Sequence, residues 1–432
     1  MKFKIAFLFL FLIKITEAQT VLSLSEAIKI GLEKNYAVLI AKNQEQIAKA
    51  QNNLGNAGMS PSVSVNGLYN FSNLNSYQEF SNGTNQEKNG AISKNYGASI
   101  NANWMIFDGM KMFAVKKRLE ANEAAAGIAL KQQMENLVYQ IILNYYNIVK
   151  VKSLIKAGEQ NLKLFEERNK LAKLRYDVGS NSKMDYLLAQ SNESKSRSDL
   201  TQLNIQLINL KSSFNNLIIR GDNLDFETTD SIVVNVDEVI SKNKNTANSG
   251  NKSILLSKQN ELALEQSVKE ARAISIPQLQ LNTAYNLTRN QSQAGFLFLS
   301  KQSGLNVGLT ASWLIFNGGK NKKLIEERSL LFLNQKYNTE QNVQQVNAWI
   351  YLQSQAFLLN KKILDFELQN KQMNEEIVSI SLERYKLGKA NFIETVEMQK
   401  NLEDAQSRYT YALYNLKVAE TELLKASGSL VK

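Results

Sequence analysis

Long stretches of the chain carry apolar residues at the spacing expected of paired helices. Residues 109–178 form a proline-free span of 70 residues, which as one continuous helix would be about 105 Å long. In this span and in a second one further along, apolar residues recur every seven positions, which predicts helix pairing with left-handed supercoiling. The heptad positions are Met134, Ile141, Ile148, Ile155 and Leu162, and then Val343, Ile350, Phe357 and Leu364.

Each span is followed by a short turn and by a second apolar pattern with three-four spacing. That pattern predicts a returning helix, so each span is predicted to form half of an antiparallel helical hairpin. The returning helices carry Leu200, Leu203, Leu207, Leu210, Phe214 and Leu217 in one case, and Tyr409, Ala412, Leu416, Ala419 and Leu423 in the other. The fold is therefore predicted to be mainly α.

Four segments instead alternate between apolar and polar residues, which predicts strands over about 62–71, 96–107, 278–287 and 304–316. One face is aliphatic and aromatic, and the other carries Ser, Asn, Gln and Thr. An apolar outside, a polar inside and aromatic residues near the ends are typical of a membrane barrel with a wet lumen. A soluble antiparallel sheet half covered by helices is the alternative interpretation.

Two polar segments connect these strands in pairs. Residues 72–95 and 288–303 are rich in Asn, Ser, Gln and Gly, which are residues that favour turns and loops. Both are predicted to be outward-facing hairpin loops.

The sequence is internally duplicated. The segment from Trp104 to Lys111 recurs 209 residues later, and the segment from Leu174 to Gly179 recurs at the same spacing. Each half reads as helix, two strands and long helical hairpin. The predicted organisation is a signal peptide over 1–18, a first repeat over 19–220, a linker over 221–251 and a second repeat over 252–432.

Composition narrows the range of functions. Histidine and cysteine are absent, which excludes disulfides, thiolate or imidazole metal ligands, cysteine nucleophiles and histidine-based triads. Paired carboxylates in a pocket-forming pattern are not recognisable either. The chain is predicted not to be an enzyme and to have no cofactor, no metal site and no catalytic residues.

The N-terminal residues have the pattern of an export signal. Two lysines precede an apolar run from Ile5 to Ile13, and a small residue, Ala18, follows it. We expect the mature chain to begin near Gln19. No later segment reaches about 18 uninterrupted apolar residues, so a membrane location has to come from strands.

The formal charge is +11, and removal of residues 1–18 leaves 48 basic and 39 acidic residues, or +9. Basic helical proteins include nucleic-acid binders. Here the charge is scattered along helix faces and the chain carries an export signal, so no nucleic-acid partner is predicted.

Closure of a barrel requires more than one chain. An open edge would leave backbone groups unpaired in lipid, and closed membrane barrels have about eight strands or more. With four predicted strands per chain, two copies would supply eight strands and three would supply twelve. The number of strands alone is compatible with either a dimer or a trimer.

Taken together, these residues resemble the TolC family of outer-membrane efflux proteins over essentially all of the mature chain. The marks are Leu22-Ser23-Leu24-Ser25-Glu26-Ala27 with Asn35, the Trp-x-x-Phe-(Asp/Asn)-Gly junction present twice, and the Tyr-x-x-Gly turn present twice. Their order, spacing and duplication carry the resemblance, since no one of them is specific.

The resemblance implies a homotrimer, with a twelve-stranded barrel in the outer membrane and a twelve-helix tunnel extending into the periplasm. It also implies a passive exit channel of a tripartite efflux or type I secretion system. The expected partners are the chain itself, outer-membrane lipid, a periplasmic membrane-fusion adaptor and an inner-membrane pump. A periplasmic or surface-attached helical scaffold or adaptor without channel activity is the competing interpretation.

Site residues follow from the matching motifs. The strand-to-helix junctions are marked by Trp104, Gly109, Trp313 and Gly318, and the adaptor-docking hairpin tips by Tyr176, Gly179, Arg384 and Gly388. By motif position, the resemblance makes Asp185, Tyr385, Glu394 and Glu397 the candidates for the gate and constriction.

Two further hypotheses concern the gate. Glu394 and Glu397, one helical turn apart, would form a cation-favouring ring of six carboxylates in the trimer. A hydrogen bond from Tyr385 to Asp185 would contribute to closure. An arginine-mediated link is not expected, because Ala390 stands where some relatives place an arginine, and the adjacent Lys389 lacks the planar guanidinium.

A purely structural interpretation of Asp185 and Glu394 remains open. Ser182 with Asp185, and Asn391 with Glu394, have the spacing of capping boxes at helix N-termini. Glu397 is equally compatible with a solvated helix face.

Overall fold

The computed structural model describes residues 20–180, 182–221, 225–229, 231–234, 250–295 and 297–431. The predicted signal peptide and much of the predicted linker over 221–251 lie outside these ranges. In the described part of the chain the fold is mainly α with a small antiparallel sheet, so the predicted fold class is confirmed.

Seven helices are present among the described residues. Helices α1 (Leu24–Lys34) and α2 (Tyr36–Gln51) precede the first pair of long strands, and α5 (Lys252–Ala273) precedes the second. The two hairpins are α3 (Lys111–Asp177) with α4 (Lys183–Ile218), and α6 (Lys320–Lys386) with α7 (Phe392–Ala426). Helices α3 and α6 both contain 67 residues, which their lack of proline permits.

The heptad pattern explains which side of each long helix is covered. Ile141 and Ile148 in α3, and Phe357 in α6, are fully buried, and the other heptad positions are buried or half-buried. The period of seven therefore marks the packed stripe of each helix, as the sequence predicted.

The two equivalent long helices differ in what they leave uncovered. Helix α3 exposes few large apolar side chains, whereas α6 exposes them along most of its length. The exposed members of α6 include Leu330, Tyr337, Tyr351, Leu352, Leu359, Phe366, Met373 and Ile380. An exposed apolar surface of this extent is typical of a face that another chain covers.

Four long strands form one antiparallel sheet in the order β2-β3-β5-β6, with two strands from each repeat. Their bounds are β2 Ser62–Glu79, β3 Asn85–Phe107, β5 Gln278–Ser292 and β6 Leu299–Ser312. In the described part of the chain β2 and β6 each have one neighbour, so the sheet has two open edges. Two short strands, β1 (Thr20–Leu22) and β4 (Phe226–Thr228), pair separately and in parallel.

The long strands extend further than the sequence predicted. The prediction of loops over all of 72–95 and 288–303 is wrong, because pairing continues to Glu79 with Asn85 and to Gln291 with Leu299. Backbone hydrogen bonds hold a ladder together without apolar side chains, so polar residues do not end a strand. At the other end β6 stops at Ser312, before the predicted residue 316.

Compactness divides the chain into two units, and each draws on both repeats. Unit 1 comprises Met1–Ile40, Lys131–Lys252 and Gln345–Lys432, and unit 2 comprises Ala41–Leu130 and Ser253–Gln344. Unit 1 has an aromatic core in which the Phe214 ring lies 5.6 Å from that of Phe226 and 6.0 Å from that of Tyr145. The Tyr145 hydroxyl donates a 2.9 Å hydrogen bond to the Leu22 carbonyl and so fixes β1.

Unit 2 contains the four-stranded sheet, and both faces of the sheet are largely accessible. Val65, on the apolar face, is 75% exposed. None of the described helices is long and apolar enough to cross a membrane.

Candidate functional site

The strand-to-helix junctions, which lie in unit 2, are held by their tryptophans. The Trp104 indole donates a 2.9 Å hydrogen bond from Nε1 to the Met59 carbonyl, and Trp313 donates a 3.1 Å bond to the Ser275 carbonyl. Both acceptors stand two residues before a proline. Each tryptophan therefore fastens the end of one strand to the segment that leads into its neighbour.

The acidic or amide residue of the same motif starts the long helix. The Asp108 carboxylate accepts from the Met112 backbone N–H at 2.9 Å, and the Asn317 side-chain oxygen accepts from the Asn321 N–H at 3.3 Å. Backbone donors in the first turn of a helix have no partner within the helix. The motif supplies that partner in both repeats.

The glycine of the motif turns the backbone, and the two copies are under different constraints. Gly109 and Gly318 have φ values of +73° and +71°, in the left-handed region that glycine adopts without strain. A Cβ at Gly109 would also lie 2.7 Å from the Ala273 carbonyl oxygen and 2.7 Å from Ile276 Cβ, whereas one at Gly318 would meet nothing within 4 Å. Gly109 is required on two grounds and Gly318 on one.

The hairpin tips, which lie in unit 1, are closed by matched turns. Gly179 and Gly388 have φ values of +75° and +72°. Each N–H donates to the carbonyl of the tyrosine three residues earlier, Tyr176 at 2.9 Å and Tyr385 at 3.0 Å. The residue after each glycine donates to the arginine carbonyl five residues back, at 2.8 Å in both tips. This is the bonding pattern in which glycine terminates a helix.

The returning helices begin at the predicted N-caps. The Ser182 hydroxyl accepts from the Asp185 N–H at 3.1 Å, and the Asn391 side-chain oxygen accepts from the Glu394 N–H at 2.7 Å. Asp185 and Glu394 therefore stand at the third helical position, where a negative charge is stabilised by the helix dipole. This structural role does not remove their carboxylates from the surface, since both side chains are half-buried.

The two equivalent tyrosines have different environments. Tyr385 is 2% exposed and packs with Ala172, Ala189 and Phe392. Its hydroxyl has no hydrogen-bond partner in the described part of the chain. The predicted bond to Asp185 is absent within this chain, because the tyrosine ring lies inside that apolar cluster. Tyr176 is 38% exposed and stacks on Tyr186 with ring centroids 5.8 Å apart.

A link between the two hairpins comes from a residue that the sequence did not single out. The Arg175 guanidinium donates a 2.7 Å hydrogen bond to the Tyr385 carbonyl and lies 4.5 Å from the centre of the Tyr385 ring. The carbonyls at a helix C-terminus have no partner within the helix and attract cations. Arg175 of the first repeat thus caps the long helix of the second.

The candidate constriction residues carry unequal charge compensation. Glu394 forms an ion pair with Arg384, with Oε1 and Nη1 3.1 Å apart. Glu397 is exposed and forms no ion pair with another described residue. Arg384, predicted as a docking residue at the tip, therefore also neutralises one of the two carboxylates.

A second arginine in the same region, Arg168, is buried. Arg168 is 2% exposed, and its guanidinium nitrogens have no hydrogen-bond acceptor among the described residues. It lies over the rings of Phe165 and Phe392, at 4.8 Å and 5.4 Å from their centres. Burial lowers the pKa of Arg168 to about 10. Arg168 directly follows two glutamates in the sequence. Such a charged run indicates an exposed helix face, so its burial could not be predicted from the sequence.

In the described ranges no group of three or more acidic side chains could hold a metal ion. What the tips bring together are turns, caps, one inter-hairpin arginine and unevenly compensated carboxylates, which are features that position helices and set local charge.

Comparison with known families gives a match over most of the chain. The family described as "Outer membrane efflux protein" matches residues 27–214 and 245–429. No curated protein matches the chain significantly.

Solved structures share the fold at low sequence identity. The outer membrane protein VceC from Vibrio cholerae has a TM-score of 0.80 at 15% identity, covering 94% of this chain and 96% of that one. The CmeC outer membrane channel of Campylobacter jejuni has a TM-score of 0.79 at 15% identity, covering 94% and 85%. The open MtrE outer membrane channel of Neisseria gonorrhoeae has a TM-score of 0.73 at 17% identity, covering 94% and 89%.

The two junction glycines provide a matched pair of substitutions. We expect Gly318→Ala to destabilise the protein by about 1 to 2 kcal/mol, the cost of a left-handed backbone in a residue with a Cβ. Gly109→Ala should cost more, because its Cβ would also meet Ala273 and Ile276. Thermal unfolding of the two purified variants measures the difference. Equal losses of stability would show that the close approach at Gly109 relaxes freely.

Proposed function

Because the chain belongs to the outer membrane efflux protein family, we propose that it forms the exit channel of a tripartite efflux or type I secretion assembly. The membership makes it an outer-membrane transport protein and not an enzyme. In this proposal a periplasmic adaptor and an inner-membrane pump deliver the substrate, and the channel conducts it passively.

The observation that carries the proposal is the open sheet with an uncovered apolar face. In lipid, the free edges of β2 and β6 would have to pair, because water is not there to bond their backbone groups. Three chains would join edge to edge into a barrel of twelve strands, which exceeds the minimum of about eight. The trimer is our proposal for the assembly that satisfies both edges of every chain.

The exposed apolar side chains of α6 support the same assembly. A trimer would cover them with neighbouring helices, and the tunnel would continue from the barrel into the periplasm. The polar faces of the strands, which carry residues such as Asn101 and Asn282, would line the lumen.

The hairpin tips are proposed as the adaptor-docking surface. Val178 and Leu387, which are equivalent in the two repeats, are 77% and 68% exposed directly before the turn glycines. They lie beside the predicted docking residues Tyr176, Gly179, Arg384 and Gly388. Apolar side chains displayed on a rigid turn are suited to a protein partner.

The channel can be tested directly. We expect the protein to require detergent for extraction, to have the mass of three chains by native mass spectrometry, and to give discrete conductance steps in planar bilayers. A water-soluble monomer without conductance would favour the scaffold interpretation instead.

Adjacent residues of β2 test which face of the sheet meets lipid. Val65→Lys places a charge on the apolar face, where it should reduce insertion at a cost of about 2 to 4 kcal/mol. Ser64→Lys places the same charge on the opposite face and should leave insertion unchanged. Insertion is measured as heat-resistant trimer recovered from vesicles, and equal losses would argue against a wet lumen.

The carboxylates of the constriction should contribute unequally to ion selectivity. Since Arg384 compensates Glu394, Glu397→Gln should lower the cation preference more than Glu394→Gln does, and Arg384→Gln should raise it. Reversal potentials in a KCl gradient measure these changes. A Glu394→Gln, Glu397→Gln double variant that keeps its cation preference would rule out the proposed carboxylate ring.

Closure of the tips is proposed to depend on Arg175. Arg175→Gln removes the bond to the Tyr385 carbonyl and should raise the conductance of the resting channel several-fold. Tyr385→Phe is the matched control and should leave it unchanged, because the hydroxyl has no partner in the described residues. If Tyr385→Phe alone opened the channel, the Tyr385 to Asp185 bond would be the link, formed in the assembly.

A further inference from the structure

Three cations lie on the apolar face of the sheet. The strand register places Tyr69, Tyr96, Arg289 and Lys301 side by side in one row across all four strands. The next row towards the hairpin loops contains Phe71, Lys94, Gln291 and Leu299. Because side chains alternate between faces, both rows share the face of Val65, Ile100, Tyr285 and Leu305.

These cations lie close to one another without an acidic partner among the described residues. Arg289 lies directly opposite Lys301, and like charges in that position repel each other. Lys94 is in the adjacent row, and none of the three forms an ion pair with another described residue. The adjacent row on the side away from the hairpin loops contains Gly67, Ala98, Leu287 and Ser303 and is therefore uncharged. An anion from outside the chain would relieve this repulsion.

The rows lie at one end of the apolar band. Eight residues separate Trp104 from Tyr96 along β3, or about 26 Å at 3.3 Å per residue. A strand tilt of about 40° reduces this to roughly 20 Å along the membrane normal, and the second row adds about 5 Å. The band of membrane barrels is about 25 Å tall, so the cations fall where lipid headgroups begin.

We propose that Arg289, Lys301 and Lys94 bind the phosphate of an anionic lipid of the outer leaflet. This rests on the proposed barrel, in which the apolar face meets lipid. The planar Arg289 guanidinium can hold two phosphate oxygens and the lysines can bind the others as point charges. Tyr69 and Tyr96, with ring centroids 5.0 Å apart, flank the site, and the acyl chains lie along the aliphatic rows below.

Phosphatidic acid is a suitable probe, because it combines a phosphate monoester with two acyl chains. Native mass spectrometry of the detergent-solubilised full-length protein should show one saturable lipid per chain. Diacylglycerol, which has the same chains without phosphate, should not bind. Millimolar inorganic phosphate should not displace the lipid, and displacement would show a site for free phosphate instead.

The Arg289→Gln, Lys301→Gln double variant tests the residues. Loss of two charge-assisted contacts should weaken phosphatidic acid binding by about tenfold or more. The matched control, Lys195→Gln with Lys269→Gln, removes two exposed helical lysines and should bind like the unmodified protein.

The outcomes separate this inference from the function it rests on. A double variant that stays trimeric and conducting but binds phosphatidic acid as tightly as the unmodified chain would overturn the lipid site alone. It would show that the cations merely extend to the water interface, as long basic side chains do. An unmodified chain that forms no trimer would overturn the proposed channel and the lipid site together.

Discussion

A strand surrounded by lipid must have every backbone hydrogen bond satisfied by another strand, and in the proposed channel the rest of the chain is organised around that constraint. Two repeats contribute two strands each to one sheet, whose two edges are open in the part of the chain that the structure describes. The apolar face of the sheet is accordingly largely exposed among the described residues. The sequence pattern agrees, because apolar and polar residues alternate along the strands.

Much of the fold could be predicted from the sequence, because it depends on patterns of neighbouring residues. Alternation located the strands, heptads located the packed stripes of α3 and α6, and the repeated Trp-x-x-Phe-(Asp/Asn)-Gly located both junctions. The ends of the strands were harder to predict, since the segment after Phe71 is mostly polar yet remains paired. The steric requirement for glycine at position 109 could not be predicted either, because it depends on contact with Ala273 and Ile276, which are far away in the sequence.

The tips show the same division between local and long-range information. The turn glycines and the caps at Ser182 and Asn391 follow from neighbouring residues, so sequence predicted them. The contact of Arg175 with the Tyr385 carbonyl joins residues 210 positions apart. Internal symmetry gave no warning of it, because the equivalent residue, Arg384, instead pairs with Glu394. Duplicated positions have diverged in partner while keeping their residue type.

The uncovered apolar surface of α6 determines how the stability of this protein has to be described. If partner chains cover residues such as Tyr351 and Phe366, folding of each chain is coupled to association of the chains. The unfolding midpoint then rises with protein concentration, and a free energy quoted for one chain has no fixed value. Substitutions on α3, whose apolar side chains are mostly covered within the chain, would report largely on folding, whereas those on α6 would report on folding and assembly together.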